Sequence, residues 1–205
     1  MTVEVSAADV KALRDRTGAG MMDCKAALEE TGGDTEKAIE LLRVKGQASA
    51  ARRSGRATGE GVVSSYIHAT GRVGVLVEVQ CETDFVARTD EFRDFAREVA
   101  VHVAGAAPPP LYVSKDQIPD EARVSERRVL EQRAREDGKP DEIVERVVGG
   151  QLEKWEREVA LSEQEHINTD RYDGKTIEEL RAEIAARTGE NVTITRFARF
   201  EVGEE

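Results

Sequence analysis

Val73, Val75, Val77, Val79 and Cys81 occupy every second position of one run. Period-two spacing puts alternate side chains on the same face of a β-strand, so these five share a face. A face of four valines and a cysteine has to be covered, which commits the chain to a small sheet with packing on one side. The strand has a partner at hand. Residues 62–68 precede it across Ala69-Thr70-Gly71-Arg72, a loop with glycine at a turn position, and the two runs read as a hairpin. The run then leads into Cys81-Glu82-Thr83-Asp84-Phe85-Val86-Ala87-Arg88. Asp-Phe is an odd pair for a solvated turn. Phe85 must either fold back onto the valine face and close the core or project into something else, and composition alone favours the first.

Most of the remaining chain reads as helix. Ser6 with Asp9 makes a capping pair for a first short helix that turns Val10 and Leu13 inward and stops at Gly18-Ala19-Gly20. A second helix is expected from about Met21 to Thr31, with Cys24, Ala27 and Leu28 on one face and Gly32-Gly33 as its stop. Asp34 caps a third, with Ala38, Leu41 and Leu42 inward, ending at Gly46. Residues 47–59 are small, polar and basic and read as a linker; a nucleic-acid arm would need more cations and interleaved aromatics. Thr89-Asp90 opens a helix carrying Phe92, Phe95, Ala96, Val99 and Val103 to near Gly105, and Pro108-Pro109-Pro110 forms a stiff connection. Pro119 and Pro140 each start a helix, the second with an apolar stripe from Val144 to Val159 that Gly149-Gly150 is expected to interrupt. A last helix runs from Thr176, whose capping partner is Glu179, to Gly189 with Ile177, Leu180 and Ile184 inward, and residues 192–202 alternate as a closing strand. The expectation is an α+β fold: a three-helix module over 1–46, a linker over 47–60, and over 61–205 a core with a small antiparallel sheet and helices on one face.

Composition and motifs exclude several functions. The net charge of −11 disfavours general nucleic-acid binding, whose backbone component needs Lys and Arg, and does not favour a membrane surface. Apolar runs are too short to span a bilayer, and the start of the sequence shows no signal-peptide core. Cys24 and Cys81 form no CxxC pair, which fits a reducing cytoplasm. The isolated His68, His102 and His166 lack metal-ligand spacing, and neither a GxSxG elbow nor a phosphate-binding GxxxxGK[ST] loop is present. Lys25 beside Cys24 could activate a thiol, but Cys24 sits on an apolar helix face and reads as inert packing. Met21-Met22, two flexible thioethers after a glycine turn, suit an adaptable contact surface, with one expected inward and the other outward. No metal, cofactor or covalent chemistry is expected.

Three ordered motifs carry a resemblance. Arg16-Thr17-Gly18-Ala19-Gly20-Met21-Met22-Asp23-Cys24-Lys25 resembles the opening of the bacterial elongation factor Ts family. Leu42-Arg43-Val44-Lys45-Gly46, followed by the Ala/Arg segment and Glu60-Gly61-Val62-Val63, is similar to its next portion, and Glu82-Thr83-Asp84-Phe85-Val86-Ala87-Arg88 looks like its hallmark. Together they span the first half of the chain. Lys139-Pro140-Asp141-Glu142-Ile143-Val144 and residues 161–164 echo its C-terminal region more weakly.

The resemblance implies a guanine-nucleotide exchange factor that binds elongation factor Tu with GDP and promotes GDP release during translation elongation, in the cytoplasm. It implies an N-terminal module of the ubiquitin-associated type that grips the GTPase. Thr83, Asp84, Phe85 and Val86 would act near that partner's Mg²⁺ as the dislocating segment, and Leu13, Met21 and Met22 match the family's N-terminal contact positions. It reverses the odds for Phe85, from core residue to projecting wedge. No direct nucleotide, nucleic-acid or membrane binding is implied. The chain is shorter than long members, which have a larger core and a helical-hairpin insertion, and short members are expected to form homodimers. The Val144–Val159 stripe is one candidate seam, with packing inside the chain an equal alternative. Two readings from other classes stay open: a general helical binding module, and an enzyme using Cys81 with a remote histidine.

Overall fold

The computed structural model describes residues 5–138 and 140–204; Lys139, part of the C-terminal motif, lies outside them. The first three helices are α1 (Ala7–Thr17), α2 (Met21–Glu30) and α3 (Thr35–Arg53). Ser6 and Asp9 form a reciprocal capping box, Gly18 closes α1 in the left-handed region at φ 69°, and the Asp34 side chain accepts from the Lys37 amide. These local signals work because each supplies a partner to a backbone group that the helix end leaves bare. Val10, Leu13, Cys24, Ala27, Leu28 and Ala38 form the buried centre, edged by Ile39, Leu41 and Leu42.

The third helix does not stop at Gly46, and residues 47–53 are helical rather than linker. A glycine inside a helix costs about 1 kcal/mol, and the helix continues through it. A Cβ on Gly46 would meet the Ala186 Cβ of α9 (Ile177–Thr188) at 3.4 Å, an ordinary contact distance. Arg43 pairs with Glu179 at 3.0 Å, and Ala50, within the expected linker, is buried. Irregular chain occupies only the few residues before β1 (Glu60–Ile67).

The hairpin closes as the alternation predicts. The His68 amide donates to the Val73 carbonyl, and β2 (Val73–Cys81) buries Val75, Val77, Val79 and Cys81. The final strand, β3 (Thr193–Glu201), lies on the other side of β2, giving the order β1-β2-β3. The bond from the Val202 amide to the Arg72 carbonyl and the Arg196–Glu78 pair fix its antiparallel sense. Gly61 is required by close approach: a Cβ there would lie 2.2 Å from the Val79 carbonyl oxygen. Between β2 and α9 come α4 (Asp84–Ala87), α5 (Asp90–Gly105), α6 (Asp120–Glu136), α7 (Asp141–Val159) and the short α8 (Thr169–Tyr172).

The chain divides into two compact units. One contains the chain up to Val62 with Val79–Phe95 and Glu179–Thr193; the other contains Val63–Glu78, Ala96–Glu178 and the chain from Ile194. In the second unit α7 is unbroken through Gly149-Gly150, contrary to expectation, and forms an antiparallel helical hairpin with α6. Leu130 and Ala134 meet Val144 and Val148, and Arg123 pairs with Glu156 at 2.7 Å. A helical hairpin is therefore present, and Val144 and Val148 of the apolar stripe are used inside the chain.

Two of the three supposedly isolated histidines meet in the same unit. His102 and His166 are buried, with ring centroids 5.5 Å apart. Their Nδ1 atoms accept from the amides of Ile167 (3.2 Å) and Asn168 (3.1 Å), so neither Nδ1 carries a proton. The Nε2–H groups then donate to Gln164 Oε1 (2.8 Å) and to the Glu98 carbonyl (3.2 Å). Burial pushes the His102 pKa down to about 4 and lowers that of His166, in keeping with two neutral rings.

Candidate functional site

The segment that follows β2 is a helical turn. Thr83 caps α4, its hydroxyl accepting from the Val86 amide at 3.4 Å. Residues two apart on a helix point about 200° apart, so Ala87 and Phe85 cannot share a face. Ala87 is buried and Phe85 is 81% exposed. Phe85 therefore projects rather than folding back onto the valine face. Asp84 stands at the first helical position, where the backbone dipole favours a carboxylate, and pairs with Arg88 at 2.8 Å. Thr89 then caps the next helix, accepting from the Phe92 amide at 3.3 Å, and Phe92 is fully buried.

A turn of four residues has little stability of its own, and the anchoring comes from a distant part of the sequence. The Glu190 carboxylate, just past α9, receives three hydrogen bonds. The amides of Glu82 and Thr83 both donate to Oε2 at 3.0 Å, and the Thr83 hydroxyl donates to Oε1 at 2.6 Å. Glu82 returns the connection. Its carboxylate accepts from the Asn191 amide at 2.6 Å and from Arg56 at 3.3 Å, contacts that hold its pKa below the usual range. The buried Asn191 side chain donates to the carbonyls of Ser54 (3.3 Å) and Arg56 (2.8 Å). Nothing in the local sequence around Phe85 announces Glu190 or Asn191, because these bonds join residues more than a hundred positions apart.

Cys81 is no nucleophile here. Its thiol is buried, donates to the Thr83 carbonyl at 3.2 Å and has its pKa pushed up to about 11, first by desolvation and then by the Glu190 charge. A neutral thiol of this kind is unreactive at neutral pH. Among the described residues no group of three or more His, Cys, Asp or Glu side chains could hold a metal ion, and no helix is long and apolar enough to cross a membrane.

The N-terminal contact candidates divide. Met21 and Met22 are 44% and 75% exposed, so neither is fully inward. With Cys24, Ala27 and Leu28 defining the inner face, Met22 lies about 160° from Cys24 and Met21 only about 60°; Met21 remains half open because it begins the helix, at the core's edge. Leu13 is fully buried in the three-helix core. Its side chain reaches no surface in the free protein and packs with Cys24, Ala27 and Leu28 of α2. Thr83 and Val86 lie on the same turn as Phe85, with Val86 partly covered. Met21, Met22 and Phe85 all belong to the first compact unit.

The family model "Elongation factor TS" matches residues 19–204. Elongation factor Ts of Caldanaerobacter subterraneus subsp. tengcongensis is 52% identical over 200 residues, covering 98% of both chains. That of Carboxydothermus hydrogenoformans is 54% identical over 195 residues, 95% of this chain and 88% of its own. That of Moorella thermoacetica is 50% identical over 201 residues, 98% of this chain and 96% of its own. An exposed phenylalanine on a clamped turn, a methionine-tipped three-helix module and similarity along nearly the whole chain lead to one assignment: the chain belongs to the elongation factor Ts family.

Proposed function

We propose that this protein is a guanine-nucleotide exchange factor for elongation factor Tu, acting in the cytoplasm by binding and without covalent chemistry. The observation that carries this reading is Phe85, 81% exposed on a turn whose backbone is tied down on the strand side. A large apolar side chain held in water is stabilised only when a partner covers it. Burying a phenylalanine is worth about 1.5–3 kcal/mol.

A GTPase holds GDP largely through its phosphates and Mg²⁺. A factor that binds the nucleotide-free state more tightly than the GDP state weakens GDP by the same factor that GDP weakens it. In this reading Phe85 enters the partner as a wedge that displaces the elements around the Mg²⁺. Asp84, Thr83 and Val86 shape the same surface, and Met21 and Met22 grip the GTPase from a three-helix module of ubiquitin-associated type. Leu13 holds that module together.

Release of a fluorescent GDP from elongation factor Tu tests the proposal. Sub-stoichiometric protein should accelerate release strongly, and Phe85→Ala should lose about one to two powers of ten of that acceleration. A Phe85→Ala protein that releases GDP at the unaltered rate would refute the wedge. No acceleration by the folded parent protein would refute exchange altogether, and capture of ubiquitin-like proteins instead would point to a general helical binding module.

A further inference from the structure

We propose that Glu190 is a positioning residue for nucleotide exchange: by clamping the backbone at Glu82 and Thr83 it aims Phe85 at the partner. The inference rests on the exchange reading above and adds to it a residue far from the projecting segment. The geometry is asymmetric in an informative way. Two successive backbone amides converge on a single carboxylate oxygen at 3.0 Å each, and the Thr83 hydroxyl takes the other at 2.6 Å. Only an ionised carboxylate offers acceptors on both sides, because an amide side chain turns one of them into a donor. The bonds are charge-assisted, which makes them roughly twice as strong as neutral ones.

The clamp holds the strand-to-helix junction, where a small change of backbone direction is magnified at the ring of Phe85. Apolar packing offers little to replace it, since Ala87 is the one fully buried side chain of α4. The position of Glu190 is itself fixed. Gly189 ends the preceding helix at φ 74°, the Thr188 hydroxyl accepts from the Glu190 amide at 3.4 Å, and the adjoining Asn191 is buried and bonded on both its backbone amide and its side chain. The clamp is thus built from a rigid helix end onto a turn that cannot orient itself.

The test is Glu190→Gln, read in three ways with the full chain. Fluorescent GDP release from elongation factor Tu, titrated with the variant, should show a maximal rate about tenfold lower. The concentration giving half that rate should move less than about threefold, because the Met21–Met22 surface is untouched. In a Phe85→Ala background the same substitution should change the rate less than about twofold, since its effect passes through Phe85. Amide hydrogen exchange at residues 83–87 should accelerate. A rate loss that adds fully to that of Phe85→Ala, or amide protection identical to the parent's, would overturn the proposal. If Phe85→Ala alone exchanges GDP at the parental rate, the wedge fails and the positioning role with it, while exchange itself stands; if the parent gives no acceleration, the exchange reading fails, and faster amide exchange in Glu190→Gln would then establish the clamp as structural only. Should Glu190→Gln not fold, Thr83→Val removes the hydroxyl branch of the clamp together with the α4 cap, and the same non-additivity with Phe85→Ala is required.

Discussion

Phe85 and Phe92 sit on consecutive helices of the same compact unit and have opposite environments, so their truncation should produce opposite phenotypes. Phe92 is completely buried and Phe85 is 81% exposed. Phe92→Ala removes a core ring and leaves a cavity, costing about 3–5 kcal/mol. For Phe85→Ala only the covered fifth of the side chain is lost, about 0.3–0.6 kcal/mol on the scale of full Phe burial. In a chain of this length 1 kcal/mol moves the melting temperature by about 2–4 °C. Phe92→Ala should therefore melt at least about 6 °C lower, and Phe85→Ala within about 2 °C of the parent. On the partner the remaining four-fifths of the ring is worth about 1.2–2.4 kcal/mol, or roughly 7- to 50-fold in exchange. Melting followed by circular dichroism and fluorescent GDP release measure the two effects on the same preparations. A Phe85→Ala protein that melts as low as Phe92→Ala would show that the ring carries the fold, and the wedge argument would collapse.

Other consequences follow from the packing. His102 titrates near 6.5 when unfolded and at about 4 when folded, so the unfolded chain takes up its proton first. Stability should hold above pH 6.5 and fall as the pH drops, by about 3 kcal/mol at pH 4; urea unfolding between pH 7 and 5 should already show the decline, and a flat profile there would refute the buried neutral pair. Gly61→Ala would place a Cβ 2.2 Å from the Val79 carbonyl oxygen, so β1 must move away from β2. A loss of at least about 2 kcal/mol in urea unfolding is expected, and a variant as stable as the parent would show that the strand yields freely.

Legibility in the sequence tracked the range of the interactions involved. Ser6, Asp9, Asp34 and Gly18 act on backbone groups within a few residues, and each helix end they mark is where the pattern puts it. The alternating valines of β2 define their own buried face in the same way. The glycine stops failed where a tertiary contact reversed a local preference. Gly46 sits inside α3, which is held on either side of it by the Arg43–Glu179 pair and the buried Ala50, and Gly149-Gly150 sits inside α7, whose neighbouring Val144 and Val148 are buried against α6. The exposure of Phe85 followed from motif resemblance rather than from composition, which favoured burial. The clamp was illegible because Glu190 and Asn191 meet Glu82 and Thr83 only after β3 and α9 are in place. The histidine pair was hidden for the same reason: its members come from α5 and from the chain before α8.

The clamp also explains how the protein can leave a phenylalanine in water without losing control of it. A side chain that packs is oriented by its neighbours, whereas one that projects must be oriented by its backbone. Fixing one residue's backbone costs about 1–2 kcal/mol in entropy. If the four residues of α4 were disordered before binding, ordering them would cost about 4–8 kcal/mol, more than the whole burial of a phenylalanine returns. A floppy wedge would therefore spend its binding energy on its own ordering and have none left to weaken GDP. With Glu82 and Thr83 already bonded to Glu190 and the Thr83 hydroxyl capping α4, the start of the turn is fixed in the free protein, and that share of the ordering cost does not offset burial of the ring. It follows that loosening the clamp should reduce exchange through Phe85 even though every apolar contact of the ring remains possible.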